Sequence, residues 1–197
     1  MTELPSGTVT FLFTDIEGST RLWEEFPDAM QGALARHDEI VRGAIEAHAG
    51  HVVKTTGDGF HAAFATAADA IAAAVEVQLG LVAEPWAETG AFRVRIGVHT
   101  GAAEVRDGDY YGTALNRAAR LMSVGHGGQV LVSSITGELV GGTVELEDLG
   151  AHRLRDLGEP VRIFQVLHPG LEREFAPLRT LDAFSTCLLY TSDAADE

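Results

Sequence analysis

The stretch from Thr8 to Thr20, TVTFLFTDIEGST, constrains the fold of this chain more than any other. Its run VTFLF is apolar and rich in β-branched and aromatic residues, which predicts a buried strand. The strand ends in Asp15, and the residues Glu17–Ser19 that follow are typical of a turn and a helix start. The sequence therefore predicts a carboxylate at the end of a core strand.

A second stretch, VVKTTGDGF from Val52 to Phe60, is predicted to be a strand that enters a hairpin turn around Asp58. Two strands that each end in an aspartate can place two carboxylates side by side at one edge of a sheet. Such charges repel unless a cation lies between them, and hard oxygen ligands suit magnesium or manganese better than zinc. Either segment alone leaves an alternative open, in which Asp15 caps a helix and Asp58 is only a turn residue.

The acidic composition narrows the classes of function. The chain has 197 residues and a formal net charge of −15, which argues against a nucleic-acid partner bound through a basic surface. An acidic protein that handles a polyanion such as a nucleotide needs metal ions and a few well-placed cations. The hydrophobic content of 46% is sufficient for the core of one domain.

Cysteine usage and hydropathy predict a cytoplasmic protein. The single cysteine, Cys187, permits no internal disulfide and no cysteine metal cluster, as expected in a reducing compartment. The start, MTELPSGT, lacks the basic and apolar regions of a signal peptide. No apolar stretch approaches the roughly 20 residues that a membrane helix needs, so we expect no association with a membrane.

The spacing of apolar residues predicts an α+β fold. The predicted strands are 8–15, 51–54, 60–64, 92–99 continued by 101–105, 129–133, 144–149 and 161–166, and the predicted helices are 19–25, 27–50, 66–83, 112–122 and 135–139. This order gives a ferredoxin-like βαββαβ kernel with extra strands. It predicts a mostly antiparallel sheet with helices on one face. The helices that begin at Pro27 and Thr66 are expected to cover the same face.

The chain divides into three predicted regions. Residues 1–168 form one folded domain. Residues 169–186 contain Pro177, have no firm period and are predicted to be a linker. Residues 187–197, CLLYTSDAADE, resemble the translation of a transposon end used in sequencing libraries. We interpret them as a non-native read-through tail, which would make Cys187 non-native as well.

Three motifs together carry a family resemblance: FTDIEGST, KTTGDGF, and DYYGTALNRAARL from Asp109 to Leu121. Each motif alone is weak evidence, but their order and spacing resemble those of class III nucleotidyl cyclase catalytic domains over about residues 7–167. The resemblance implies that residues 1–168 are a cyclase catalytic domain with the cyclase homology fold. Within this family, the chain most resembles the bacterial adenylyl cyclases.

The resemblance implies a two-metal centre. Asp15, Asp58 and the backbone carbonyl of Ile16 would hold two divalent ions, Mg²⁺ or Mn²⁺. One ion activates the attacking 3′-hydroxyl of ATP and the other holds the triphosphate. Asn116 and Arg120 are four residues apart on a predicted helix and share a face. In the family the matching asparagine orients the ribose and the matching arginine binds the α-phosphate in the transition state; without the resemblance the pair is an ordinary exposed helix face.

Lys54 and Asp109 occupy the positions that adenylyl members use to select the base. A lysine can donate to adenine N1 and an aspartate can accept from the N6 amino group, whereas guanine reverses both groups. Without the resemblance, both are ordinary surface residues. A late basic residue usually binds the triphosphate as well. Arg155 is the expected match in HRLRDLGEP, with Arg153 as the alternative.

The resemblance also implies a shared active site in a homodimer, because the metal-binding aspartates of one subunit face the remaining site residues of the other. We therefore predict an adenylyl cyclase that acts on ATP as a homodimer. The alternatives are a guanylyl or mixed-purine cyclase and a non-catalytic nucleotide-binding regulatory module. The segment LHPGLEREFAPLRTLDAF resembles the region after the cyclase domain in large bacterial regulators, where ATPase and helical-repeat domains follow.

Overall fold

A computed structural model describes residues 4–106 and 108–181, and these contain eight strands and five helices. The elements are β1 (Gly7–Ile16), α1 (Ser19–Glu25), α2 (Pro27–Ala47), β2 (His51–Thr56), β3 (Gly59–Phe64), α3 (Ala67–Ala83), β4 (Val94–Arg106), β5 (Asp109–Tyr111), α4 (Thr113–Val124), β6 (Val130–Ser133), α5 (Ser134–Val140), β7 (Leu146–His152) and β8 (Val161–Val166). The α+β class predicted from the sequence is confirmed, and so is the order of elements, except that the short strand β5 was not predicted.

The strands form one mixed sheet in the order β2-β3-β1-β4-β6-β8-β7, with β5 paired to the second half of β4. The β4–β6 pair is parallel and the other pairs are antiparallel. The predicted βαββαβ kernel corresponds to β1, α2, β2, β3, α3 and β4, whose strands lie side by side in the order β2-β3-β1-β4. Strand β1 lies in the middle of the sheet, which explains its nearly continuous apolar run.

The helices lie on both faces of the sheet, so the prediction of helices on one face is wrong. Leu12 of β1 packs in a core with α2 and α3, which cover the same face as expected. Phe11 and Phe13 point to the other side, where they meet Ala114 and Ala118 of α4. Because successive strand residues alternate between faces, the apolar run of β1 serves two cores, and α4 is needed to cover the second.

The helix α4 approaches the sheet closely because β4 carries a glycine beneath it. A Cβ atom on Gly97 would lie 2.4 Å from the backbone nitrogen of Met122 and 2.7 Å from the carbonyl oxygen of Ala118. Only a residue without a side chain allows this approach. The contact fixes the height of α4 above the sheet, and with it the position of the residues that α4 carries.

Residues 169–181 pack against the domain through an ordered path. Leu178 and Thr180 are buried, and Leu178 joins a core cluster with Leu121 and Leu154. The division at residues 168 and 186 stays a prediction, and the proposed tail at 187–197 lies outside the described residues. Within the described part of the chain, no helix has the length and hydropathy needed to span a bilayer.

Candidate active site

The carboxylate of Asp15 lies at the end of β1, on the sheet face that carries α4. Asp15 is paired across the sheet with Arg95 of β4. Nε and Nη2 of Arg95 both donate to Oδ2 of Asp15, at 2.8 and 2.5 Å. The two side chains are 23% and 29% exposed for Arg95 and Asp15. This charge-assisted pair orients Asp15 in a partly desolvated position.

Asp58 lies in the turn between β2 and β3, and this turn is held against the end of β1. The backbone N–H of Phe60 donates to Oγ1 of Thr14 at 2.9 Å. A Cβ atom on Gly59 would lie 2.7 Å from the carbonyl oxygen of Thr14, so the two chains touch there. Gly57 adopts a φ of 62°, which the tight turn requires and glycine tolerates. Asp58 is thereby placed beside the end of β1 that carries Asp15.

The oxygen atoms at this position suit a hard divalent cation. Oδ2 of Asp58 is buried and accepts no hydrogen bond from the described residues. A buried carboxylate oxygen without a donor is costly unless a cation neutralises it. The described residues contain no cluster of three or more His, Cys, Asp or Glu side chains around a metal-sized site. Mg²⁺ is commonly held by one or two carboxylates plus substrate phosphates, so Asp15, Asp58 and the Ile16 carbonyl fit such an ion.

Lys54 and Asp109 both lie near His61. Lys54 is the cross-strand partner of His61, and the His61 ring packs on Phe13 with ring centroids 4.0 Å apart. Burial lowers the pKa of His61, the Lys54 ammonium lowers it further, and the Asp109 carboxylate opposes both. The two residues predicted to select the base are therefore close enough to act on one neutral imidazole. They lie on the α4 side of the sheet.

Asn116 and Arg120 lie on α4. Asn116 is exposed and Arg120 is partly exposed. Nη2 of Arg120 donates to Asp156 at 2.5 Å, which brings the end of α4 beside the loop between β7 and β8. Arg153 and Arg155, the two alternatives for the triphosphate contact, line the same cavity as Arg120. The arginines predicted to bind the phosphates of the nucleotide therefore line one cavity of a single chain.

The predicted residues form three groups within one protomer. Asp15, Ile16 and Asp58 gather where β1 meets the β2–β3 turn. Lys54 and Asp109 flank His61. Arg120 and Arg155 share a cavity at the end of α4, and Asn116 lies one helical turn before Arg120.

Sequence reasoning missed three residues at these positions: Arg95, His61 and Arg179. Arg95 stands at a polar position of an alternating strand, and alternation alone indicates only a half-exposed face. His61 lies in the strand after the hairpin turn, two positions beyond Gly59. Arg179 lies in the segment that was predicted to be a linker. No local signal in the sequence pairs these residues with the site.

Comparison with known proteins places the chain in a family. The model of the adenylate and guanylate cyclase catalytic domain matches residues 1–167. An uncharacterized protein of Mycobacterium tuberculosis is 43% identical over 191 residues, which cover 94% of this chain and 65% of that protein. The chain thus spans just under two thirds of this relative.

Two trypanosomal comparisons agree with this result. The receptor-type adenylate cyclase GRESAG 4.3 of Trypanosoma brucei brucei is 36% identical over 224 residues, covering 89% of this chain and 18% of the cyclase. A structure of adenylate cyclases from Trypanosoma brucei in their monomeric state superposes with a TM-score of 0.83 at 34% identity, covering 91% of this chain and 97% of that one. The chain belongs to the class III adenylate and guanylate cyclase catalytic domain family.

Proposed function

We propose that this domain is an adenylyl cyclase that converts ATP to 3′,5′-cyclic AMP and pyrophosphate as a homodimer. The observation that carries the proposal is the packing of the β2–β3 turn, which holds Asp58, against the end of β1, which holds Asp15, together with a buried Asp58 oxygen that lacks a donor among the described residues. The family supplies the reaction class, and Lys54 and Asp109, which lie near His61, supply the preference for adenine.

The reaction forms one bond and breaks one. The 3′-oxygen of ATP attacks the α-phosphorus, its proton is lost, and the bond between the α-phosphorus and the bridging oxygen breaks to release pyrophosphate. Two divalent ions, when bound, supply Lewis acidity at the attacking oxygen and at the triphosphate. Asp15, Asp58 and the Ile16 carbonyl hold these ions. Arg95 keeps Asp15 in position through its two hydrogen bonds.

The remaining residues bind and orient the nucleotide. Arg120 donates to the α-phosphate as negative charge develops there. Preorganised donors at such a position stabilise the transition state and are usually the largest contribution to catalysis. To do so it leaves or shares its hydrogen bond with Asp156. Asn116 orients the ribose, and Arg155 binds the triphosphate.

Lys54 and Asp109 select adenine over guanine. The ammonium of Lys54 donates to N1 and the carboxylate of Asp109 accepts from the N6 amino group. Guanine would meet each of them with the wrong hydrogen-bonding group. A mismatched group costs on the order of 1–3 kcal/mol. The proximity of both residues to His61 supports their action on one base.

The dimer is supported by the face of the sheet that carries α4. The cores on the other face are covered by α2 and α3, whereas Leu115, Ala119 and Met122 of α4 and Val53 of β2 stay only partly buried. A second copy can cover these side chains. Its Lys54, Asp109, Asn116 and Arg120 would then complete the site around the first copy's aspartates.

The test is a cyclase assay on the purified chain with ATP or GTP and Mn²⁺, with the products separated by chromatography. We expect cyclic AMP from ATP, a lower yield of cyclic GMP from GTP, and no product from Asp58→Ala. Asp28→Asn, an exposed aspartate in the first turn of α2, is the control and should keep parental activity. A folded parent that makes neither cyclic nucleotide would contradict the proposal, and preferred use of GTP would contradict the assignment of the base.

A further inference from the structure

Residues 169–181, here called the strap, extend past the region matched by the family model, which ends at residue 167. The strap is anchored to the end of α4: the backbone N–H of Arg179 donates to the carbonyl of Val124 at 3.0 Å. Leu178 and Thr180 are 6% and 2% exposed. Because the two residues that flank Arg179 are buried, the backbone is held in place there, and the origin of the Arg179 side chain is fixed.

Arg179 faces a basic cavity of about 260 Å³. Among the described residues that line this cavity, four are arginines and none is acidic: Arg120, Ser123, Val124, Arg153, Arg155, Arg179, Thr180 and Leu181. The whole chain has 14 Lys and Arg residues against 29 Asp and Glu residues, so a cavity lined by four arginines is distinctive, with Arg120 paired to Asp156 and Arg179 to Glu17 outside the lining. The volume lies below the roughly 300–1,000 Å³ of pockets for drug-sized ligands. A small polyanion is the ligand that such a cavity favours.

Arg179 also connects the strap to the metal-binding end of β1. Its Nη2 donates to Oε1 of Glu17, and the backbone N–H of Gly127 donates to Oε2 of Glu17 at 3.2 Å. The Glu17 carboxylate therefore holds one edge of the guanidinium. A guanidinium has five donors, so further donors are available to a phosphate.

We infer that the strap completes the polyphosphate pocket and that Arg179 is a further phosphate-binding residue beside Arg120 and Arg155. The inference rests on the proposed function only in taking the bound anion to be the triphosphate of ATP or the pyrophosphate product. In the proposed dimer this cavity, with its Arg120, faces the aspartates of the second copy, and the pair of Arg179 with Glu17 holds the strap in place against its own chain. The strap is then part of the nucleotide site.

The test measures binding of inorganic pyrophosphate by calorimetry, at fixed ionic strength and without added metal. Arg179→Gln should weaken binding about tenfold or more, because a hydrogen bond to a charged group contributes on the order of 1.5–3 kcal/mol. Arg173→Gln is the matched control. It makes the same charge change at an exposed position of the strap and lines other cavities. This control should bind within about twofold of the parent.

The Glu17→Gln variant tests whether Arg179 binds pyrophosphate directly or acts only through its pair with Glu17. It removes the carboxylate that Arg179 contacts and leaves the guanidinium in place. Direct binding predicts unchanged or tighter pyrophosphate binding for this variant. The inference is overturned if Glu17→Gln weakens binding as much as Arg179→Gln, if Arg179→Gln binds like the parent, or if the parent does not bind pyrophosphate.

A second measurement needs no variant. Phenylglyoxal modifies accessible arginines, and mass spectrometry reports each site. Pyrophosphate should protect Arg179 and leave Arg173 reactive; equal modification of Arg179 with and without pyrophosphate would overturn the inference. Because both measurements use pyrophosphate alone, a chain that binds it through Arg179 but makes no cyclic nucleotide would refute the proposed function and leave this inference standing.

Discussion

Asp15 and Arg95 face each other across β1 and β4, and two nitrogens of Arg95 donate to one oxygen of Asp15 at 2.8 and 2.5 Å. Asp58 differs, because its buried Oδ2 accepts no hydrogen bond from the described part of the chain. The two aspartates of the candidate metal site are therefore not equivalent. Asp15 stabilises the fold through its pair with Arg95. Asp58 lowers the stability of the fold, because its buried oxygen has no donor among the described residues.

This difference predicts separate effects on stability. Asp15→Asn should lower the free energy of unfolding by about 1–2 kcal/mol, because it weakens a charge-assisted pair and leaves Arg95 partly buried without its counter-charge. Asp58→Asn should leave that free energy unchanged or raise it slightly. Both variants should lose cyclase activity on the order of 100-fold or more, since metal ions supply several kcal/mol of transition-state stabilisation. Urea unfolding and the cyclase assay measure the two effects, and equal destabilisation by both substitutions would contradict the distinction.

Mixing two inactive variants tests the shared site. Asp58→Ala and Asn116→Ala proteins, mixed in equal amounts and allowed to exchange subunits, should recover about a quarter of parental activity. Half of the dimers are then mixed, and each mixed dimer has one intact site of two. Mixing Asp58→Ala with Asp15→Ala is the control and should recover nothing, because both changes affect the same half of the site. Failure of the first mixture, with both variants folded and dimeric, would place all site residues within one chain.

The base preference should respond to Lys54 and Asp109. Lys54→Glu with Asp109→Asn presents an acceptor to guanine N1–H and a donor to guanine O6. The ratio of kcat/KM for ATP over GTP should fall by about 10- to 1,000-fold, since each corrected or mismatched group contributes on the order of 1–3 kcal/mol. Glu104→Gln, an exposed change in β4, should not alter the ratio. An unchanged ratio in the double variant would remove these residues from base recognition.

Gly97 predicts a link between packing and activity. Gly97→Ala places a Cβ atom within 2.4 Å of the α4 backbone, which cannot move without shifting Asn116 and Arg120. We expect a loss of about 1–3 kcal/mol in the free energy of unfolding and a fall in kcat. Gly43→Ala, in α2 with nothing within 4 Å of the added atom, should stabilise by up to about 1 kcal/mol. Activity that survives Gly97→Ala unchanged would show that the height of α4 is not critical.

His99 predicts a specific acid dependence of stability. Burial, followed by the charge of Arg117, lowers the pKa of His99 to about 4, and Nδ1 lies 2.7 Å from Oγ of Ser133. The unfolded chain binds a proton at this histidine near its ordinary pKa of about 6.5, whereas the folded chain does so only near pH 4. Stability from this group is therefore present above pH 6.5 and is lost as the pH falls toward 4.

Urea unfolding at pH 7, 5.5 and 4.5 checks this dependence. His99→Gln should lose less stability than the parent across that range, although its stability at pH 7 is lower. Burial also lowers the pKa of His37 and of His61, so some acid dependence should persist in the variant. Identical slopes for parent and variant would show that His99 does not titrate in this way.

The sequence alone was sufficient to predict every helix and all the strands except β5, and it identified Asp15 and Asp58 as candidate metal ligands. The strand β8 and the helix α1 have their predicted bounds, and Asp15 and Asp58 follow from strand patterns that end in a carboxylate. These features are local: a period of two or 3.6 residues and a turn glycine act over a few positions. The base-selecting pair and the α4 residues came from the family resemblance, and their roles stay proposals.

The packing of the folded chain sets which face of the sheet each helix covers and which charged side chains meet. The apolar run of β1 is the same whether one face or two are covered, so the place of α4 depended on the close approach at Gly97. Arg95 and Asp15 are 80 positions apart, and Arg179 and Glu17 are 162 apart. Pairs at such separations form through sheet pairing and the packing of a distant segment. No local pattern encodes them, because their partners are chosen by the whole folded chain.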